Sequence, residues 1–120
     1  MIIFLIISKY RIVLSYLVAI QEKYYKMKIS VKYFAMMRDI TDKKQDILDF
    51  NKETSIQTML SILCSMYGEN FKKNIFNSDG FLGKELILLL NGEVINQEAF
   101  GSKMLLDKDV IVIMPPVGGG

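Results

Sequence analysis

Apolar and polar residues alternate through residues 28–34, with Ile29, Val31 and Tyr33 on one side and Lys28, Ser30 and Lys32 on the other. Period-two patterning with β-branched residues predicts a half-buried strand. Residues 38–44 are polar, carry Asp39, Thr41 and Asp42, and read as a turn. Alternation resumes over residues 45–50, where Ile47 and Asp49 oppose Leu48 and Phe50. The short connection makes this second strand antiparallel to the first.

The apolar period then lengthens. Ile56, Met59, Leu60, Leu63 and Tyr67 recur at three- and four-residue spacing and form one stripe of a helix. Thr54 with Gln57 three residues later reads as a capping box at its start. Gly68 is placed to end it in a left-handed conformation. Residues 69–85 form a polar connection containing Gly80 and Gly83, with a short helical turn around residues 71–76. Residues 86–90 are a continuous apolar run, read as a buried strand, and Asn91-Gly92 is a tight-turn dipeptide. Residues 93–95 pair back briefly. A turn at Asp107-Lys108-Asp109 precedes a last apolar strand over residues 110–114.

The resulting order is β-β-α-β-(β)-β. A helix-containing crossover allows the first and last long strands to lie side by side and parallel. The prediction is an α+β fold of β-grasp type, a mixed sheet curled around one main helix, occupying residues 27–120.

Residues 1–26 change the picture. Of the first 27 residues, 19 are apolar or aromatic, yet Lys9 and Arg11 leave uncharged runs of only 8 and 10 residues. A spanning helix needs roughly 20 predominantly apolar residues. A signal peptide carries its positive charge ahead of the apolar stretch, whereas here it sits in the middle. Three readings stand: upstream sequence before a natural start at Met27, a helix lying on the domain or on a membrane surface, and an anchor. The segment is set apart from the fold as an apolar N-terminal extension, and a membrane is not an expected partner.

Charge and composition exclude more than they assign. The chain of 120 residues carries 15 Lys and Arg against 13 Asp and Glu. It lacks the basic field that nucleic-acid binding requires. It has no histidine, which removes Ser-His and Cys-His nucleophilic catalysis and histidine metal sites. No metal site is expected. The lone Cys64 cannot form an internal disulfide, borders the helical stripe, and reads as a packing residue. Nothing argues for an oxidising compartment, and a cytoplasmic location is the expectation.

Chemistry concentrates at the C-terminus, Met114-Pro115-Pro116-Val117-Gly118-Gly119-Gly120. Two prolines fix φ, cannot continue a sheet ladder, and aim the chain as it leaves the last strand. Six extended residues reach roughly 20 Å. Without a Cβ, the glycines can pass through a narrow channel and expose the terminal acyl carbon to attack. Such a tail can deliver its α-carboxylate into another protein's active site.

The residues from about 27 to 120 resemble the molybdopterin synthase small subunit, in the sulfur-carrier branch of the ubiquitin-like proteins. The resemblance rests on Val31-Lys32-Tyr33-Phe34-Ala35 followed by Arg38-Asp39, on Leu90-Asn91-Gly92, and on the run from Asp109 through Met114-Pro115-Pro116-Val117 to the final glycines. It implies that an adenylating enzyme activates the Gly120 carboxylate with ATP and Mg²⁺, neither of which the chain itself binds. Sulfur from a cysteine-desulfurase pathway then replaces AMP, giving a thiocarboxylate. The residues Pro115, Pro116, Val117, Gly118 and Gly119 would thread into the large subunit of molybdopterin synthase. There the sulfur would build the dithiolene of molybdopterin. The chain itself would be a non-catalytic, sulfur-donating subunit. Phe34 and Met114 match family positions near the apolar surface that faces the partner. Two positions depart from the pattern: Met114 stands where the family often has Phe, and Gly118 where bacterial members commonly have Ser or Thr. Gly118 is familiar among archaeal relatives, some of which are joined to protein lysines. A lysine-conjugated modifier is therefore the alternative, together with sulfur delivery for thiazole or for tRNA thiolation.

Overall fold

The computed structural model describes residues 2–24, 26–76 and 86–115. Helix α1 spans Ile2–Tyr24, and the sheet domain begins directly after it with β1, Met27–Tyr33. Next come α2 (Met36–Thr41), β2 (Gln45–Phe50), α3 (Ile56–Tyr67), α4 (Glu69–Ile75), β3 (Ile87–Leu90), β4 (Glu93–Val94), a 3₁₀ turn (Gln97–Ala99) and β5 (Val110–Met114). The sheet order is β2-β1-β5-β3-β4. β1 is antiparallel to β2 and parallel to β5, with Tyr33 opposite Ile113. The two long terminal strands thus occupy the middle, as the pattern predicts, in the β-grasp arrangement.

Burial follows the alternation. Met27, Ile29, Val31 and Tyr33 of β1 point inward, as do Leu88 and Leu90 of β3 and Ile111 and Ile113 of β5. Against them packs the predicted stripe of α3, with Ile56, Met59, Leu60 and Leu63 fully buried. Phe71 and Ile75 of α4, Phe100 and Leu105 complete one core. Ile87 and Leu89 are only half-buried, so β3 is covered fully on one face.

Several local readings are corrected. The stretch read as a turn holds α2, because Met37 and Thr41, four residues apart, both face the core. The Thr41 hydroxyl donates to the Met37 carbonyl at 3.0 Å. The helix cap falls one residue later than expected: Ser55 Oγ accepts the Thr58 N–H at 3.1 Å, while Thr54 donates to the Lys52 carbonyl. A cap of this kind stabilises by about 1 kcal/mol. Gly68 does end α3, but at φ 86 and ψ −164, a glycine conformation far in ψ from the left-handed helical one. That geometry lets it also start α4, which is a full helix where a single turn is predicted. Asn91 and Gly92 both have positive φ, as a two-residue hairpin turn requires. Of the expected connection over residues 69–85, the part that carries Gly80 and Gly83, residues 77–85, lies outside the described residues.

Candidate functional site

The predicted chemistry is carried by the residues beyond β5, so the geometry that matters is the root of the tail. β5 is held from both sides: Leu88, Leu89 and Leu90 of β3 pair with Ile113, Val112 and Ile111, and β1 pairs with it on the other edge. Hydrogen bonds on both edges fix the register of the strand. The Phe34 N–H extends the ladder past β1 by donating to the Ile113 carbonyl at 3.2 Å. Phe34 therefore stands beside the point where Met114 passes into Pro115. Both Met114 and Pro115 are half-buried.

The chain turns sharply after Phe34. Ala35 sits at φ 50 and ψ −124, a conformation that disfavours any residue with a Cβ. Holding a non-glycine residue there costs on the order of 1–3 kcal/mol. The turn is fixed by the Met37 N–H donating to the Phe34 carbonyl (3.1 Å) and the Arg38 N–H donating to the Ala35 carbonyl (3.0 Å). It leaves Phe34 39% exposed and Met36 38% exposed. Arg38 reaches back, its guanidinium 5.5 Å from the Phe34 ring centroid and its Nε donating to the Tyr33 carbonyl at 3.4 Å. A cation over an exposed ring is worth roughly 0.5–1 kcal/mol and restricts the ring's orientation. The arrangement is an aromatic and thioether surface, marked by one positive charge, at the exit of a rigid strand.

Behind this surface lies a polar cluster that the sequence pattern does not reveal. The buried Tyr33 hydroxyl donates to Asp46 Oδ2 at 2.8 Å, and the Tyr67 hydroxyl donates to the same oxygen. Lys43 Nζ sits 3.1 Å from Asp46 Oδ1 and over the Tyr67 ring. Tyr33, Tyr67 and Phe71 pack as a set, two edge-to-face contacts and one stacked pair. Burial on its own would raise the Asp46 pKa. The bonds from Tyr67, Tyr33 and Lys43 outweigh it and hold the carboxyl below its ordinary value. Burial first, and then the bond to Asp46, push both tyrosine hydroxyls upward. The cluster ties the last inward residue of β1 to β2 and to the end of α3, and so braces the base of the Phe34 turn.

Cys64 is half-buried, and burial raises its thiol pKa, which disfavours the nucleophilic thiolate. Among the described residues no cluster of three or more His, Cys, Asp or Glu could hold a metal ion. Of the sequence-predicted site, the structure brings together Phe34, Met114 and Pro115. Pro116, Val117, Gly118, Gly119 and Gly120 lie outside the described residues. Reading the sequence alone missed Met36, Ala35 and the Asp46 cluster. The available signal was the parity of β2, which places Asp46 on the same face as Leu48 and Phe50.

Residues 31–120 match the model of the ThiS family. The chain belongs to that family. No curated protein matches it by sequence. Among solved structures, small archaeal modifier protein 1 from Methanosarcina acetivorans is 27% identical, with a TM-score of 0.63 over 79% of this chain and 98% of that one. A Pyrococcus furiosus protein assigned as subunit 1 of molybdopterin converting factor is 22% identical, with a TM-score of 0.60 over 76% and 99%. In a Helicobacter pylori complex of subunits 1 and 2 of molybdopterin-converting factor, the matching chain is 24% identical, with a TM-score of 0.50 over 78% and 100%. The ThiS-family chain described here thus has the ubiquitin-like β-grasp fold shared by sulfur carriers and protein modifiers. Among the described residues no helix is long and apolar enough to cross a membrane.

Proposed function

We propose that this ThiS-family protein is a sulfur carrier, the small subunit of a molybdopterin synthase, with the Gly120 carboxylate as its working group. One observation carries the proposal. A central strand, hydrogen-bonded on both edges, ends beside the exposed Phe34 and enters Pro115 directly, ahead of a glycine terminus.

A carboxylate is inert to sulfur until its oxygen becomes a leaving group. Adenylation by a partner enzyme, consuming ATP with Mg²⁺, supplies that group and releases pyrophosphate. Sulfur at the sulfide level then attacks the acyl carbon and AMP departs, leaving the thiocarboxylate. The chain's own contribution is positional. Its doubly paired central strand delivers the chain to Pro115, and Phe34, Met36 and Met114 offer the apolar seat on which a large subunit docks. The Helicobacter pylori complex supports docking of a second subunit on this kind of fold.

A second reading is favoured by the likeness to small archaeal modifier protein 1, at 27% identity. In it the activated Gly120 is transferred to protein lysines instead of to sulfur. Both readings require adenylation. Mixed with an adenylating enzyme from its own cells, the full chain is expected to release pyrophosphate in proportion to its amount, only with ATP and Mg²⁺ present. Absence of pyrophosphate release would count against both readings and leave a plain interaction domain.

A further inference from the structure

Helix α1 presents an apolar surface that the domain does not use. Every residue from 8 to 20 is exposed, including Tyr10, Ile12, Val13, Leu14, Tyr16, Leu17, Val18 and Ile20. None of these joins the core, which begins at Met27. Burying such side chains is strongly favourable, so the surface implies an occupant.

The distribution of residues around the helix indicates which occupant. Over residues 8–20, at about 100° per residue, Ser8, Arg11, Ser15 and Ala19 fall within an arc of roughly 80°. The eight large apolar residues occupy the remainder, with Lys9 among them. A two-stranded coiled coil buries only a narrow seam and would leave Ile12, Tyr16 and Val18 in water. A lipid interface instead receives a wide apolar arc, while long cationic side chains reach back to the headgroups. Charge agrees: the first 27 residues hold Lys9, Arg11, Lys23 and Lys26 against the single acid Glu22. Lys9 and Arg11 interrupt α1, whose longest uncharged run is 10 residues, short of the roughly 20 apolar residues a spanning helix wants, so α1 is assigned to the surface.

From these features we infer that α1 docks this protein on an anionic lipid surface. Only residues 25 and 26 separate α1 from β1, so the carrier domain is held close to that surface. The inference does not depend on the sulfur chemistry.

The test is sedimentation of the full chain with vesicles, either pure phosphatidylcholine or phosphatidylcholine mixed with phosphatidylglycerol. The chain is expected to pellet with the mixed vesicles and to be released as salt rises. Leu14→Asp combined with Leu17→Asp is expected to lower partitioning by at least about tenfold. Lys9→Glu with Arg11→Glu is expected to remove most of the preference for the anionic vesicles, by roughly tenfold. An unmoved unfolding midpoint in each variant confirms that the domain is intact. Failure to pellet with either vesicle would overturn the inference, as would undiminished pelleting of the Leu14→Asp, Leu17→Asp variant. A dimer that this variant dissolves, with no vesicle binding by the unsubstituted chain, would assign α1 to a second copy and equally overturn it.

Discussion

Gly120→Val is expected to leave the domain folded while cutting sulfur loading of the C-terminus by about a hundredfold or more. The residue lies beyond β5, whose pairing ends at Ile113 on the β1 side and at Met114 on the β3 side, and it follows the sheet domain in sequence. Its effect falls on the reaction. A β-branched side chain beside the acyl carbon obstructs both the narrow path into the activating enzyme and the attack on the adenylate. Displacement of a reacting group by about 1 Å costs on the order of 10²-fold in rate. One residue appended after Gly120 is expected to do the same by moving the carboxylate away from the nucleotide. The check is thiocarboxylate formed per chain with the adenylating enzyme present, alongside thermal unfolding. Full loading of either variant would contradict the assignment of Gly120.

The second large effect is on stability. Asp46→Ala is expected to destabilise the domain by about 2–4 kcal/mol, because it strips the acceptor from two tyrosine hydroxyls, one of them fully buried. In a domain of this size that lowers the unfolding midpoint by about 10 °C or more. Lys43 adds little, since its side chain is 51% exposed and the pair is screened by solvent. Acid should act on the same group. Asp46 titrates below its ordinary value in the folded chain, so its contribution is complete above the unfolded pKa of about 4. It is lost as pH falls through the lower folded value. Asp46→Asn carries no such titration. The stability gap between wild type and Asp46→Asn is therefore expected to narrow as pH falls below about 4, measured by urea unfolding. A gap that stays constant or widens on acidification would show that the carboxylate is not held as described.

The residues explain why some of the fold could be read in advance. β1, β2 and α3 were legible because each repeats its pattern long enough to distinguish a period of two from one of 3.6. The hairpin at Asn91-Gly92 was legible because its turn requires positive φ. The parallel pairing of β1 with β5 followed from the crossover between them. α2 was not legible. It has six residues, only Met37 and Thr41 are buried, and its polar remainder resembles a turn. Its helicity comes from tertiary burial, which a local pattern does not contain. The capping error has a similar source, since Thr54 and Ser55 are both competent caps and the pairing of Ser55 with Met104 selects the second.

The candidate site divides in the same way. The tail was legible as chemistry because residue type alone, two prolines and a glycine terminus, carries the reasoning. Phe34 and Met114 were placed by family resemblance, and the structure adds what holds them: the strained Ala35 turn and the Arg38 contact for Phe34, and pairing with Ile87 of β3 for Met114. The parity of β2 marks Asp46 as facing inward, but its two tyrosine partners could not be read because they are 13 and 21 residues away in sequence. No periodicity connects a strand carboxylate to a tyrosine at the far end of a helix.

The carrier assignment is tested most directly by the intact mass of the protein purified, with an untagged C-terminus, from its own cells. The predicted result is a species heavier by the exchange of one oxygen for one sulfur, located to the peptide ending in Gly120. An unmodified carboxylate accompanied only by lysine-linked conjugates would contradict the sulfur carrier and establish the modifier.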